Sequence, residues 1–72
     1  MSEDKPLYEI APGTRVTVIQ QKISVYHAAA FDAELDAKIA KALDNRDVLT
    51  QAEKRLKDCL RAIALLEEML TA

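Results

Sequence analysis

The chain has 72 residues, of which 50% are apolar and 31% are charged, and its formal net charge is −2. This length excludes a doubly wound nucleotide-binding fold, a barrel and a two-domain enzyme, and leaves room for one small domain of a folded rather than a disordered chain. The charge lacks the excess of Lys and Arg typical of proteins that bind phosphate backbones, so a nucleic-acid partner is not the first expectation.

The N-terminal part of the chain favours extended backbone. Residues 1–6 are polar and end at Pro6, and we predict that they form a flexible tail ahead of a single domain over residues 7–72. Ala11-Pro12-Gly13-Thr14 fits a type II turn, with Pro at the second position and Gly at the third. Because the residues that follow are rich in β-branched side chains, we predict a short strand or hairpin over about residues 7–19.

The same segment also allows a helix. In this alternative Thr14 is the N-cap, the helix begins at Arg15, and large apolar side chains align on one face. They are Val16, Ile19, Ile23 and Tyr26. At about 100° per residue this face lies opposite Leu35 and Ile39. Either two segments meet between these groups, or one helix is apolar on two sides, and the sequence leaves strand and helix open over residues 15–26.

A helix is predicted over residues 28–43, which are rich in alanine, the strongest helix former. A row of large apolar side chains recurs every four residues along it. The row is Phe31, Leu35, Ile39 and Leu43. Polar residues 44–47 form the predicted connection, and either Asp47 or Thr50 is the expected N-cap of the next helix.

A second helix is predicted over residues 48–71, where apolar residues alternate at spacings of three and four. We call this stripe the heptad seam. It consists of Leu49, Ala52, Leu56, Cys59, Ile63, Leu66 and Leu70. The short connection predicts an antiparallel helical hairpin. Two helices alone enclose little core, so we expect the seam to hold two copies together as a four-helix dimer; the alternative is an amphipathic helix buried within one domain.

The last turns of this helix are apolar nearly all round. Leu60, Leu65 and Met69 lie outside the heptad seam. An apolar helix face is normally covered by another subunit or a binding partner, so these residues form a predicted partner surface.

The sequence offers no set of residues for catalysis. One Cys and one His do not supply a four-ligand zinc site or an intrachain disulfide. Cys59 is interpreted as a small buried hydrophobic residue, and Asp32, Glu34 and Asp36 as a solvated helix face. We therefore expect no enzyme activity, no metal and no cofactor.

The favoured hypothesis is a small protein–protein interaction module, such as an adaptor, a small chaperone or a regulator, that self-associates. A strand followed by two helices also resembles ribbon-helix-helix repressors, which implies a DNA-binding alternative with Arg15, Thr17 and Gln20 as base readers. The polar N-terminus does not resemble a signal peptide, and no apolar run approaches the length of a membrane span. The expected location is the cytoplasm.

Overall fold

The computed structural model describes residues 8–71, which form two α-helices. Helix α1 spans Pro12–Ala42 and helix α2 spans Arg46–Thr71. The two helices pack against each other through a three-residue connection, as an antiparallel hairpin. The predicted helical hairpin is confirmed at this level, although α1 begins sixteen residues earlier than the predicted helix.

The strand or hairpin predicted over about residues 7–19 does not form in the described residues, because residues 12–19 lie inside α1 and residues 8–11 have no regular secondary structure. Pro12 occupies the first helical position, where its missing N–H leaves no hydrogen bond unmade and its fixed φ already suits a helix. Gly13 has no positive φ, so the type II turn, which needs one at glycine, does not form. Thr14 is not the N-cap, since that position is Ala11. The predicted tail over residues 1–6 and Leu7 lie outside the described residues.

Helix α1 continues without a break through the middle of its sequence. Strand propensity is a weak preference that packing overrides. Here the helix places Ile19, Ile23 and Tyr26 in half-buried positions along α2. A strand in their place would need a neighbouring strand for its backbone hydrogen bonds, and the described residues contain none.

The connection between the helices is held by backbone and Asn45 hydrogen bonds. Asp44 adopts a left-handed conformation with φ of 55°, and the N–H of Asn45 donates to the carbonyl of Ala40 at 2.8 Å. The Oδ1 of Asn45 accepts a hydrogen bond from the N–H of Val48 at 3.2 Å. This is the geometry of an N-cap, so Asn45, rather than Asp47 or Thr50, caps α2.

The core between the helices is narrow and made mostly of small side chains. Its buried residues are Ala30, Ala33, Ala40, Ala52, Cys59 and Ile63. The buried alanines let the two backbones approach closely, because interhelix distance depends on side-chain size at the contact. Small side chains also contribute little apolar area, and hydrophobic stabilisation scales with that area.

Arg55 links the two helices on one flank of the hairpin. Its Nη2 donates to the Oδ2 of Asp32 at 2.6 Å and to the Oδ2 of Asp36 at 3.2 Å. All three side chains are about half exposed or more, so solvent screens the pairs and their contribution to stability is modest. Their structural value is to fix the register, since Arg55 lies level with the turn between Asp32 and Asp36.

The hairpin is long and thin. Its principal dimensions are 53 × 25 × 18 Å, and its radius of gyration is 16.5 Å, against about 11 Å for a compact domain of this length. The chain exposes 6226 Å² of surface, roughly 1,800 Å² more than a compact protein of the same mass would expose. A lone two-helix hairpin therefore leaves an unusually large surface in water.

Candidate interaction surfaces

The two helices of the hairpin pack against each other through apolar stripes of the same spacing. Half-buried and buried residues of α1 form an inner stripe with the same alternating spacing as the heptad seam. The inner stripe is Ile19, Ile23, Tyr26, Ala30, Ala33, Ala37 and Ala40. In the register set by Arg55, each small member lies level with a seam residue, as Ala33 does with Leu56 and Ala30 with Cys59.

The heptad seam faces α1 of the same chain. Ala52, Cys59 and Ile63 are buried, and the remaining seam residues are half-buried. They are Leu49, Leu56, Leu66 and Leu70. This covering by α1 corresponds to the alternative of a helix buried within one domain, and the association of two copies through the seam stays a prediction.

The most prominent exposed apolar surface lies on α1, opposite α2. We call it the α1 outer row. It comprises Phe31, Leu35 and Ile39 of α1 and Leu43, the C-cap residue that follows the helix. These residues are 61%, 41%, 57% and 73% exposed. At about 100° per residue, Leu35 points roughly away from the direction in which Ala33 and Ala37 face α2. Because α1 has apolar side chains on two opposite sides, packing against α2 covers only one of them.

A second exposed surface lies at the open end of the hairpin, away from the connection. Val18 and Val25 precede Asp32 at seven-residue steps, and Met69 follows Arg55 by two such steps. Residues seven apart lie on nearly the same side of a helix, so the flank marked by the Asp32–Arg55 pair continues into these apolar residues. With Leu65, they form what we call the open-end patch.

The predicted partner surface divides between two flanks. Leu65 and Met69 belong to the open-end patch and are 56% and 53% exposed. Leu60 is 53% exposed and lies beside half-buried Leu56 in a shallow open groove of α2. The structure thus leaves all three residues accessible but does not bring them into one patch.

Charged residues of both signs border the α1 outer row. Glu34 and Lys38 lie on one flank and form an exposed pair, with 3.5 Å between Oε1 and Nζ. On the other flank Asp32 and Asp36 are both bound by Arg55. Each flank therefore carries both signs, and the row is an apolar strip with a polar border.

The residues with reactive or metal-binding side chains are not brought together. Cys59 is a buried free thiol, whereas His27 is exposed on α1. Over residues 8–71, no group of three or more His, Cys, Asp or Glu side chains is arranged to hold a metal ion.

The candidate base readers lie on a helix. Arg15, Thr17 and Gln20 are exposed residues of α1, and the hydroxyl of Thr17 donates to the carbonyl of Gly13 at 3.1 Å. The strand that a ribbon-helix-helix protein inserts into the major groove is absent from the described part of the chain.

The sequence identifies the α1 outer row as a helical row but not as an exposed one. The signal that separates the two faces is the inner stripe, whose spacing continues from Ile19 through the alanines to Ala40 and matches the heptad seam in reverse order. The α1 outer row has the larger side chains, but the inner stripe packs on α2 because its spacing matches the heptad seam along its whole length.

In the described part of the chain, neither helix has the combination of length and apolar content that a membrane span requires. Comparison with models of known protein families, with curated proteins and with solved structures finds nothing similar to this chain.

Proposed function

We propose that this protein is a small helical interaction module, which works by burying its exposed apolar helix faces against other protein chains. Its roles as an adaptor, a small chaperone or a regulator share that mechanism. The supporting observation is the contrast between a core of six buried residues, four of them alanine, and the thirteen large hydrophobic residues that remain exposed. The largest exposed apolar patch of a folded chain is often a functional surface.

The apolar faces supply the binding energy, and the charges at their borders supply specificity. Each buried apolar Å² contributes about 25 cal/mol, whereas exposed ion pairs contribute little affinity but oppose partners of the wrong charge pattern. Helix faces that insert into an apolar groove of another protein are a common mode of recognition. The open-end patch, which contains Leu65 and Met69, is the proposed contact with a different protein.

The test is to compare proteins captured by the wild-type chain and by Leu65→Glu, using extracts of the native host. Leu65 is 56% exposed, so the substitution should leave the helical circular dichroism unchanged while placing a charge in the contact. We expect proteins retained by the wild type to be retained at least about tenfold less by Leu65→Glu, equivalent to about 1.4 kcal/mol.

Ala64→Glu is the matched control, because it introduces the same side chain at an exposed neighbouring position on a different side of α2. It should capture the same proteins as the wild type. Equal capture by all three chains, with Leu65→Glu still folded, would contradict the open-end patch as a binding surface.

A further inference from the structure

The α1 outer row is an apolar surface that the hairpin leaves uncovered. From the exposed fractions of its four residues, the row presents roughly 450 Å² of apolar side chain, within the range of the largest patches on ordinary monomers. A standard interface buries about 800 Å² on each partner, so the row alone would provide more than half of one partner's share.

The outer face of α1 has the symmetry that a two-fold contact requires. Apart from Leu43, whose equivalent position across Leu35 is His27, apolar side chains are placed evenly on either side of Leu35. In order they are Ala28, Phe31, Leu35, Ile39 and Ala42. An isologous interface presents the same patch on both subunits. An antiparallel copy centred on Leu35 would place Phe31 beside Ile39 of the second copy, and would bring the two small alanines together at each end.

The charges on the borders are compatible with this arrangement. Glu34 and Lys38 share one flank and pair within each chain. The same two-fold axis brings Glu34 of each copy equally near to Lys38 and to Glu34 of the other, and the lysines offset the repulsion between the two carboxylates. On the opposite flank, Arg55 binds both Asp32 and Asp36, which reduces the repulsion between the acidic groups of two facing copies. The basic groups on both flanks reduce repulsion between like charges, so the borders do not oppose association of two copies.

We infer that the α1 outer row binds a second copy of this chain, antiparallel, about a two-fold axis at Leu35. The inference deepens the proposed function, on which it rests, by assigning one apolar face to self-association and leaving the open-end patch for another protein. It also replaces the heptad seam, whose residues already face α1, as the surface that joins two copies.

The test measures mass in solution by sedimentation equilibrium for the wild type and for two single variants. We expect the wild type to have twice the chain mass of 8.0 kDa. Phe31→Glu and Ile39→Lys each place an unpaired charge in the contact, and each should weaken association at least about 100-fold. Both positions are more than half exposed in one hairpin, so circular dichroism should show unchanged helicity.

The double variant Phe31→Glu/Ile39→Lys distinguishes an antiparallel contact from a parallel one. In the proposed pairing each new Glu faces a new Lys of the second copy, so the double variant should recover dimer relative to either single variant. A parallel pairing would instead place like charges side by side. Within one chain the two positions are more than two turns apart, about 12 Å, and do not pair. Leu65→Glu is the control for added charge and should remain a dimer.

A wild type that sediments at 8.0 kDa, or a Phe31→Glu variant that keeps the wild-type mass, would overturn the inference. Neither result would remove the proposed function, because capture through Leu65 is measured separately. A monomeric wild type that loses captured proteins on Phe31→Glu would assign the α1 outer row to a different protein instead of a second copy.

Discussion

At the scale of single residues, the connection decides where each helix ends. Asp44 takes the left-handed conformation, which Asp tolerates better than most residues with a Cβ. Asn45 then caps α2 by accepting the Val48 N–H. The sequence contains other plausible caps in Asp47 and Thr50, but the hydroxyl of Thr50 donates back to the carbonyl of Arg46, as Thr does inside a helix.

Substitution of the cap should be measurable in a folded hairpin. We expect Asn45→Ala to lower the free energy of unfolding by about 1 kcal/mol, because the Val48 N–H loses its acceptor. Asn45→Asp retains an acceptor at the same position and should stay close to the wild type. Urea denaturation at one fixed protein concentration measures both. Equal unfolding midpoints for the Ala and Asp variants would show that this hydrogen bond does not stabilise α2.

At the scale of helices, α1 and α2 differ in how their apolar residues are distributed. Most large apolar residues of α2 lie in the heptad seam, with Leu60, Leu65 and Met69 outside it. Helix α1 instead has an inner stripe on one side and the α1 outer row on the other. A helix that is apolar on two sides is typical of a position between two neighbours. The hairpin supplies one neighbour, α2, and the second copy is the proposed other.

The close approach of the helices depends on the alanines of the inner stripe. Ala33 is completely buried, so Ala33→Leu would force α1 and α2 apart or displace Leu56, which lies level with it. We expect a loss of roughly 1–3 kcal/mol in the free energy of unfolding, the usual cost of overpacking. Ala64→Leu adds the same side chain at an exposed site of α2 and should change stability by no more than about 0.5 kcal/mol.

A stability of Ala33→Leu equal to that of the wild type would mean that the helices have room between them, and would contradict close packing at this position. Thermal or urea unfolding at a single protein concentration is sufficient for the comparison, since both variants leave the α1 outer row unchanged.

The two helices also differ in how far sequence alone predicts them. The predicted start of α2 lies within two residues of the observed one, because its continuous heptad seam and strong helix formers agree. For the first half of α1 the sequence predicts a strand, because Val16, Ile19 and Ile23 favour extended backbone locally. The half-buried positions of Ile19 and Ile23 depend on α2, which is distant in sequence, and local preference does not contain that information.

The candidate surfaces are predictable only in part. Leu60, Leu65 and Met69 lie outside the α2 seam, and spacing alone separates them from it. Exposure of the α1 outer row depends on which of two apolar faces packs on α2. That choice follows from the level match between the inner stripe and the heptad seam, such as Ala33 with Leu56, and becomes clear only once both stripes are considered together.

At the scale of the whole molecule, the hairpin has more surface than its core supports. Chains of this size bury a smaller fraction of their surface than larger domains do. For stability they usually need disulfides, a bound metal or a second subunit. In the described residues the core contains one large side chain, Ile63, among alanines and Cys59. Association would add the missing burial without any change in the fold of one chain.

Stability should therefore depend on protein concentration. If folding is coupled to the proposed dimer, a tenfold increase in concentration should raise the melting temperature of the wild type by several degrees, by mass action. Phe31→Glu should melt at the same temperature over that range. Circular dichroism at 222 nm over roughly a hundredfold range of concentration measures both. A constant melting temperature for the wild type would show that association contributes nothing to folding.

The position of the open-end patch determines what a symmetric pair of hairpins would look like from outside. Val18, Val25, Leu65 and Met69 lie near the end where both helix termini meet, far from the connection. Two hairpins joined antiparallel about Leu35 would carry one such patch at each tip, pointing in opposite directions. The assembly would be an elongated bivalent dimer that holds two identical targets at a fixed separation.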